Sequence, residues 1–374
     1  MKIAIYVVND NDKPRGLDRY CLELLKSLAA LDHRNSYLVF YAPWQQCYPQ
    51  ALQASNVRMI LLHPPRSHYC RIPWQAIIFP RILRRYEPDV LHLPYTTFIW
   101  QRRYRTVMTI HDLSEFPFPQ KFNLLRAYAR RIIARLAVRT ADQIVAVSNY
   151  TKNEIFKILH IDKDKIKVVW EGVSQSDHRC VECANTLMKY GLNNEYFLYV
   201  GVIEKTKNIE SIIHAFRNSQ EYIQKYFNIV LVGRAGNAYN DVIGMINNYG
   251  LQEKVRYLGY VEEAELACLY KGAKAFIFPS LVEGFGLVVL EAMSYGIPVI
   301  TSNVGAMKEV SGNAAFLVDP YNINDIKNAM EKIAFDKNLN SDIIERGKNR
   351  TLNFSWKRMA QDMIDIYNKV SIID

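Results

Sequence analysis

Glu283-Gly284-Phe285-Gly286-Leu287-Val288-Val289-Leu290-Glu291 places two carboxylates eight residues apart, around a glycine loop and the start of a helix. Before it, Ala275-Phe276-Ile277-Phe278, closed by Pro279-Ser280, reads as a buried strand feeding the loop. After it, Tyr295-Gly296-Ile297-Pro298 supplies a glycine stop followed by proline. Strand, glycine loop and helix in that order make one unit of a parallel α/β sheet. Gly284 and Gly286 let backbone approach a ligand, and a helix opening near Leu287 points free N–H groups and its positive dipole end into the loop. Such a loop suits a phosphate-bearing ligand whose hydroxyls the carboxylates can hold. A sugar nucleotide has both features.

The same unit recurs along the chain. Short apolar β-rich runs fall at 3–8, 37–41, 57–62, 89–92, 106–110, 143–147 and 166–170, then at 196–200, 228–232, 255–258, 275–278 and 298–301, with amphipathic helical segments between them. Ser174-Gln175-Ser176-Asp177 is a polar break, and Tyr196-Phe197-Leu198-Tyr199-Val200-Gly201 restarts the pattern that Lys2 began. The expectation is two doubly wound domains facing across a cleft lined by strand C-terminal ends. The first spans 1–172 and the second 173–354. A closing helix over about 355–374 carries the apolar stripe Trp356, Met359, Met363, Ile366, Tyr367 and Val370.

Composition excludes several classes. The 374 residues are 49% hydrophobic and 22% charged, as in a globular protein, and no run approaches the eighteen apolar residues of a membrane span. The N-terminus reads as a strand rather than a signal peptide. Six scattered cysteines suit a reducing compartment, so a cytoplasmic location is expected. Cys180-Val181-Glu182-Cys183 beside His178 has no second pair, and no metal site is assigned. Residues 1–180 carry 27 Lys/Arg against 15 Asp/Glu, whereas residues 181–374 carry 20 against 22. Arginine dominates the first half at Arg81, Arg84, Arg85, Arg102, Arg103, Arg105 and from Arg126 to Arg139. On a helix from about Leu124, Ala129, Ile132, Ile133 and Leu136 share one face while Arg131, Arg135 and Arg139 line another. That pattern fits a solvated basic face or peripheral docking on anionic lipid at the inner face of the cell membrane. No nucleic-acid-binding motif accompanies the charge.

Other loops add chemistry. Gly201-Val202-Ile203-Glu204-Lys205-Thr206-Lys207-Asn208 joins a strand to a helix with Asn208 near its N-cap, so Lys207 can neutralise a departing diphosphate. Leu231-Val232-Gly233-Arg234 is a second strand-to-glycine loop bearing a cation. His111 ends the strand run Met108-Thr109-Ile110, and Arg15-Gly16-Leu17-Asp18 opens a helix.

Together these segments resemble the family 4 glycosyltransferases of GT-B fold, from about Lys2 to the last helix and most strongly over Phe276 to Pro320. The resemblance implies a metal-independent, anomer-retaining transfer from a nucleoside diphosphate sugar, with no other cofactor. By it, Glu283 holds donor-sugar hydroxyls, Glu291 the nucleotide ribose, and backbone N–H groups of Phe285, Gly286, Leu287 and Val288 the sugar and diphosphate. Lys207 stabilises the leaving phosphate, and His111 contacts the sugar from the opposite domain. Gly284, Gly16 and Arg234 complete the donor site. Likeness of His111-Asp112-Leu113-Ser114 to Phe118-Pro119 to mannosyltransferases implies GDP-mannose as donor. A glycan or polyprenyl-linked acceptor in surface polysaccharide or lipopolysaccharide assembly follows. Two positions depart from the family pattern: Asp18 replaces a second loop glycine, and Thr206 an arginine. They motivate an alternative, a partner subunit that binds sugar nucleotide or glycan without transferring it. A nicotinamide oxidoreductase is disfavoured, because Val7-Val8-Asn9-Asp10 lacks the early G-x-G-x-x-G loop.

Overall fold

The computed structural model describes residues 1–10, 16–101, 103–119, 124–174 and 183–372, with backbone alone at 68 and 124–126. Gln175 to Asp177 of the polar break, His178, Cys180 of the cysteine pair Cys180/Cys183, Arg15 and Arg102 lie outside the described residues. The chain divides into two compact units, Met1–Gly172 with Ser355–Asp374, and Val173–Phe354.

Among the described residues the first unit holds a sheet of β1 (Lys2–Tyr6), β2 (Ser36–Tyr41), β3 (Val57–Leu61), β4 (Val90–Leu93), β5 (Arg105–Ile110), β6 (Gln143–Ala146) and β7 (Ile166–Val168), in the order β3-β2-β1-β4-β5-β6-β7. Each pairing is parallel. Ile3, Ala4, Ile5 and Tyr6 are all buried, without alternation, because helices cover both faces of a parallel sheet. The second unit orders β8 (Glu195–Val200), β9 (Phe227–Val232), β10 (Val255–Gly259), β11 (Ala275–Phe278), β12 (Val299–Ser302) and β13 (Phe316–Val318) as β10-β9-β8-β11-β12-β13, again parallel. The order reverses direction between β1 and β4 in one unit and between β8 and β11 in the other. Ligands of such sheets bind outside the strand C-termini at those switch points. The edge strand β13 has no counterpart in the runs read from sequence. At three residues it is too short to show a period.

The closing helix, Trp356–Ile372, buries its predicted stripe against the first unit, on the helix Gly16–Leu31 and on β4 and β5. Gly172 lies at the crossing point: a Cβ there would sit 2.2 Å from the backbone nitrogen of Trp356. A buried hydrogen-bond chain then pins the helix. Tyr367 hydroxyl is 2.8 Å from His92 Nδ1, His92 Nε2 is 3.0 Å from Thr109 Oγ1, and Tyr20 hydroxyl is 3.3 Å from that same oxygen.

The basic helix Leu124–Thr140 turns a different face inward from the one its larger apolar residues suggest. Ala127, Ala134, Ala137 and Val138 are buried, whereas Tyr128, Ile132 and Leu136 are 66%, 40% and 40% exposed. Ala134, Ala137 and Val138 join the buried core of the first unit, which leaves the bulkier stripe outside. Arg131 does not share the solvated row of Arg135 and Arg139. Its guanidinium donates to the carbonyls of Glu115 (2.8 Å) and Phe116 (2.9 Å) and lies over the Phe116 ring.

Burial lowers the His92 pKa from its ordinary 6.5 to about 3, so the folded ring stays neutral where the unfolded one takes a proton. The unfolded state then binds more protons, and stability falls as pH drops from 6.5 toward 3. His92→Gln is expected to lose stability at neutral pH, with the deficit against wild type shrinking over that interval in thermal unfolding curves. A deficit constant with pH would contradict the assignment.

Candidate active site

In the second unit, the loops after the two switch-point strands meet. β8 and β11 are hydrogen-bonded neighbours, pairing Ala275 with Phe197 and Phe276 with Leu198. The loop after β8 carries Lys207, on a single turn Lys205–Lys207, and the loop after β11 carries Glu283. Lys207 Nζ donates to Glu283 Oε1, and each side chain is 16% exposed. The ammonium also lies 5.7 Å from the Phe278 ring centroid. Ser280 braces the pair: its hydroxyl is 2.9 Å from the Thr206 carbonyl oxygen and 3.1 Å from Glu283 Oε1. The N–H of Leu281 donates to the same Thr206 carbonyl at 2.8 Å.

Asn208 sits at the helix boundary as predicted but does not cap with its side chain. It adopts a left-handed conformation, φ 59°, between that turn and the helix Ile209–Arg217. Its amide instead donates to the carbonyls of Pro279 (3.2 Å) and Pro320 (2.6 Å), binding the loops after β8, β11 and β13 together. Thr206 is buried, and its hydroxyl has no hydrogen-bond partner among the described residues. Position 206 therefore works through its carbonyl, with the side chain turned into the fold. The loop after β9 is tied in by backbone: Gly233 passes so close to Gly201 that a Cβ would lie 1.9 Å from its carbonyl oxygen, and Ile203 N–H donates to Arg234 O at 2.9 Å. The Arg234 guanidinium lies over the Tyr260 ring at 5.7 Å, and no contact with Lys207 or Glu283 is seen.

The helix Leu287–Ser294 opens directly from this loop. Gly286 supplies the turn with φ 96°, where a Cβ would fall 2.0 Å from Met307 Cε. Gly284 and Phe285 are buried, and the Phe285 ring packs edge-on against Phe354 at 5.7 Å, while Gly286, Leu287 and Val288 stay partly exposed. Glu291, one turn on, is 9% exposed. Its carboxylate accepts from the Tyr270 hydroxyl at 3.5 Å, and Tyr270 stacks on Tyr295 with ring centroids 4.9 Å apart. This is the polar partner that a charge in an apolar helix requires.

In the first unit, a cavity of about 410 Å³ opens at the C-terminal ends of β1, β4 and β5, lined among others by Asn9, Asp10, Arg71, Thr97, His111 and Glu115. His111 is the first residue past β5. Its Nε2 is 2.9 Å from the Pro94 carbonyl oxygen and its Nδ1 is 3.0 Å from Glu171 Oε1. Glu171 was not among the residues singled out from sequence. The available signal was one acid inside Val168-Val169-Trp170-Glu171-Gly172-Val173, directly after a strand. Asp18 is buried within the helix Gly16–Leu31, 2.7 Å from the Asn9 amide and 3.2 Å from the Tyr48 hydroxyl. It presents no charge outward. Gly16 opens that helix, and a Cβ there would meet nothing within 4 Å among the described residues.

Residues 189–350 match the family Glycosyl transferases group 1, and residues 14–176 match Glycosyltransferase Family 4. A curated relative, O-antigen chain mannosyltransferase B of Escherichia coli, is 31% identical over 366 residues, covering 94% of this chain and 95% of its own. The chain belongs to the group 1 glycosyltransferases. O-antigen chain mannosyltransferase RfbU of Salmonella typhimurium is 32% identical over 256 residues, covering 68% of this chain and 67% of its own. The fold matches that of the sucrose-phosphate synthase from Thermosynechococcus elongatus with a TM-score of 0.79 at 20% identity, over 99% of this chain and 98% of that one. This glycosyltransferase thus has the two parallel-sheet units of the GT-B fold along its whole length.

Gly286→Ala would force a side chain into left-handed backbone at a cost of about 1–2 kcal/mol, besides the overlap with Met307. Measured against Met307→Ala alone, Gly286→Ala is expected still to cost about 1–2 kcal/mol, because φ is unchanged. No further loss when Gly286→Ala is added to Met307→Ala would show that the overlap alone demands glycine.

Proposed function

We propose that the chain transfers mannose from GDP-mannose to a glycan or polyprenyl-linked acceptor in surface polysaccharide assembly, with retention at the anomeric carbon and without a metal ion. The observation that carries this is the meeting of Lys207 and Glu283 at the switch point of the second unit, beside the start of the helix Leu287–Ser294. A lysine at that point stabilises charge developing on a departing diphosphate, and a held carboxylate accepts hydrogen bonds from sugar hydroxyls. Backbone N–H groups of the loop and helix start, Phe285 to Val288, suit the phosphates, and Glu291 is assigned the ribose. Arg234 is assigned a supporting charge. The printed names of the relatives from Escherichia coli and Salmonella typhimurium support mannose as the sugar. For the acceptor, the cavity at the switch point of the first unit offers a polar pocket of suitable size. Asp18 and Thr206, the grounds for a subunit that binds without transfer, both turn their side chains inward. Asp18 thus turns no carboxylate toward the loop, and the cation that Thr206 lacks is the remaining ground for that alternative.

With GDP-mannose and a membrane-extracted lipid-linked acceptor, Lys207→Ala is expected to lower turnover by about 10²–10³-fold. Glu283→Ala should also fall steeply, and chelation of divalent metal should leave the wild-type rate unchanged. Near-normal transfer in both variants would refute the assignment.

A peripheral membrane contact belongs to the same reading. Tyr128, Ile132 and Leu136 form an exposed apolar stripe at four-residue spacing, beside exposed Arg135 and Arg139. Among the described residues no helix is long and apolar enough to cross a membrane. Co-sedimentation with phosphatidylglycerol vesicles is expected for wild type, weakened by salt and abolished in Ile132→Glu/Leu136→Glu. Equal sedimentation of wild type and variant would remove this surface from the account.

A further inference from the structure

We infer that Glu171 is a positioning residue that holds His111 as an imidazolium, so that His111 acts as a fixed positive charge and not as a base. This deepens the proposed assignment of His111 and rests on it for function, but its chemistry stands on the first unit alone. Both ring nitrogens face acceptors. A peptide carbonyl only accepts, so Nε2, 2.9 Å from Pro94 O, must carry a hydrogen. An ionised carboxylate also only accepts, so Nδ1, 3.0 Å from Glu171 Oε1, must carry one too unless Glu171 is itself protonated. The pair therefore holds one proton more than a neutral imidazole beside a carboxylate. Between imidazole and carboxylate the imidazole is the stronger base, which puts that proton on Nδ1.

The surroundings favour the same distribution. The Tyr20 ring meets the His111 ring edge-on at 4.5 Å, and burial pushes the pKa values of Tyr20 and of its neighbour Cys21 up, so both are neutral. His92, on β4, is held neutral with a pKa of about 3. Asp112 Oδ1 accepts from the Ser114 N–H at 2.9 Å, and Glu115 faces Arg130 across 3.8 Å. The Glu171 carboxylate, 4% exposed, contacts the ring directly. The His111 carbonyl accepts from the Thr151 hydroxyl at 3.3 Å, so backbone and ring are both held. A ring fixed this way cannot accept a proton from an incoming hydroxyl. It can only offer positive charge to the cavity it lines.

The test reads the ring directly, by ¹⁵N–¹H correlation spectra of the histidine-labelled full chain at pH 7, with no substrate added. Wild type is expected to show two protonated nitrogens for His111 and one for His92, the internal reference. In Glu171→Gln the side-chain amide can donate to Nδ1, so the ring should fall back to one proton while its Nε2–H stays on Pro94. With GDP-mannose the same variant is expected to lose roughly 10- to 100-fold in turnover, the size of a charge-assisted hydrogen bond, with the donor KM nearly unchanged. A singly protonated His111 in wild type overturns the proposal, even if Glu171→Gln fails to fold. A doubly protonated ring in a folded Glu171→Gln also overturns it. A proposed donor that proves wrong would silence the kinetics but leave the spectra intact, which separates the two failures.

Discussion

The ion pair between Lys207 and Glu283 exists because β8 and β11 are parallel neighbours whose chain connections leave in opposite directions. Between ordinary adjacent strands successive connections leave toward the same face of the sheet, and their loops close over the space above the strand ends. Where the order reverses, that space is open, and the two loops leaving it must satisfy each other. Ser280, Asn208 and the Thr206 carbonyl do this, tying the segments after β8, β11 and β13 with hydrogen bonds of 2.6–3.2 Å. The charged pair sits on that brace.

Its energetics suit a binding site. Two charges each only 16% exposed have lost much of their hydration and rely on one another for compensation. On the proposed reading, a ligand replaces this pair by satisfying both ends, with phosphate oxygens for the ammonium and hydroxyls for the carboxylate. A nucleoside diphosphate sugar carries those groups a few ångströms apart. In the first unit the analogous opening, above β1 and β4, is lined by charges of both signs, with Arg71 held by Asp10 and His111 by Glu171.

What the sequence revealed follows how local each feature is. β11, the Gly286 turn and the helix from Leu287 lie within a score of residues and carry their own apolar run, glycine and helix start. All were readable. All twelve strand runs form strands; central ones such as Ala275–Phe278 are unbroken apolar segments of a parallel sheet, whereas the edge strand Val57–Leu61 carries Arg58. The edge strand Phe316–Val318 is too short for such a signal. Features set by distant packing were hidden. Which face of Leu124–Thr140 turns inward is set by packing outside the helix, which buries Ala134 and Ala137 and leaves Ile132 and Leu136 40% exposed. Asn208 was legible as a boundary, but its amide spans 112 residues to Pro320. His111 and Glu171 are 60 residues apart, and only the meeting of β5 with the segment after β7 joins them.

The division of labour between the two charges of the second unit is most directly tested by calorimetric binding of GDP and GDP-mannose in parallel. If Lys207 serves the diphosphate and Glu283 the sugar, Lys207→Ala weakens both ligands alike, whereas Glu283→Ala weakens GDP-mannose and leaves GDP close to wild type. Equal loss of GDP in the Glu283 variant, or unchanged affinity for both ligands in the Lys207 variant, would contradict the account.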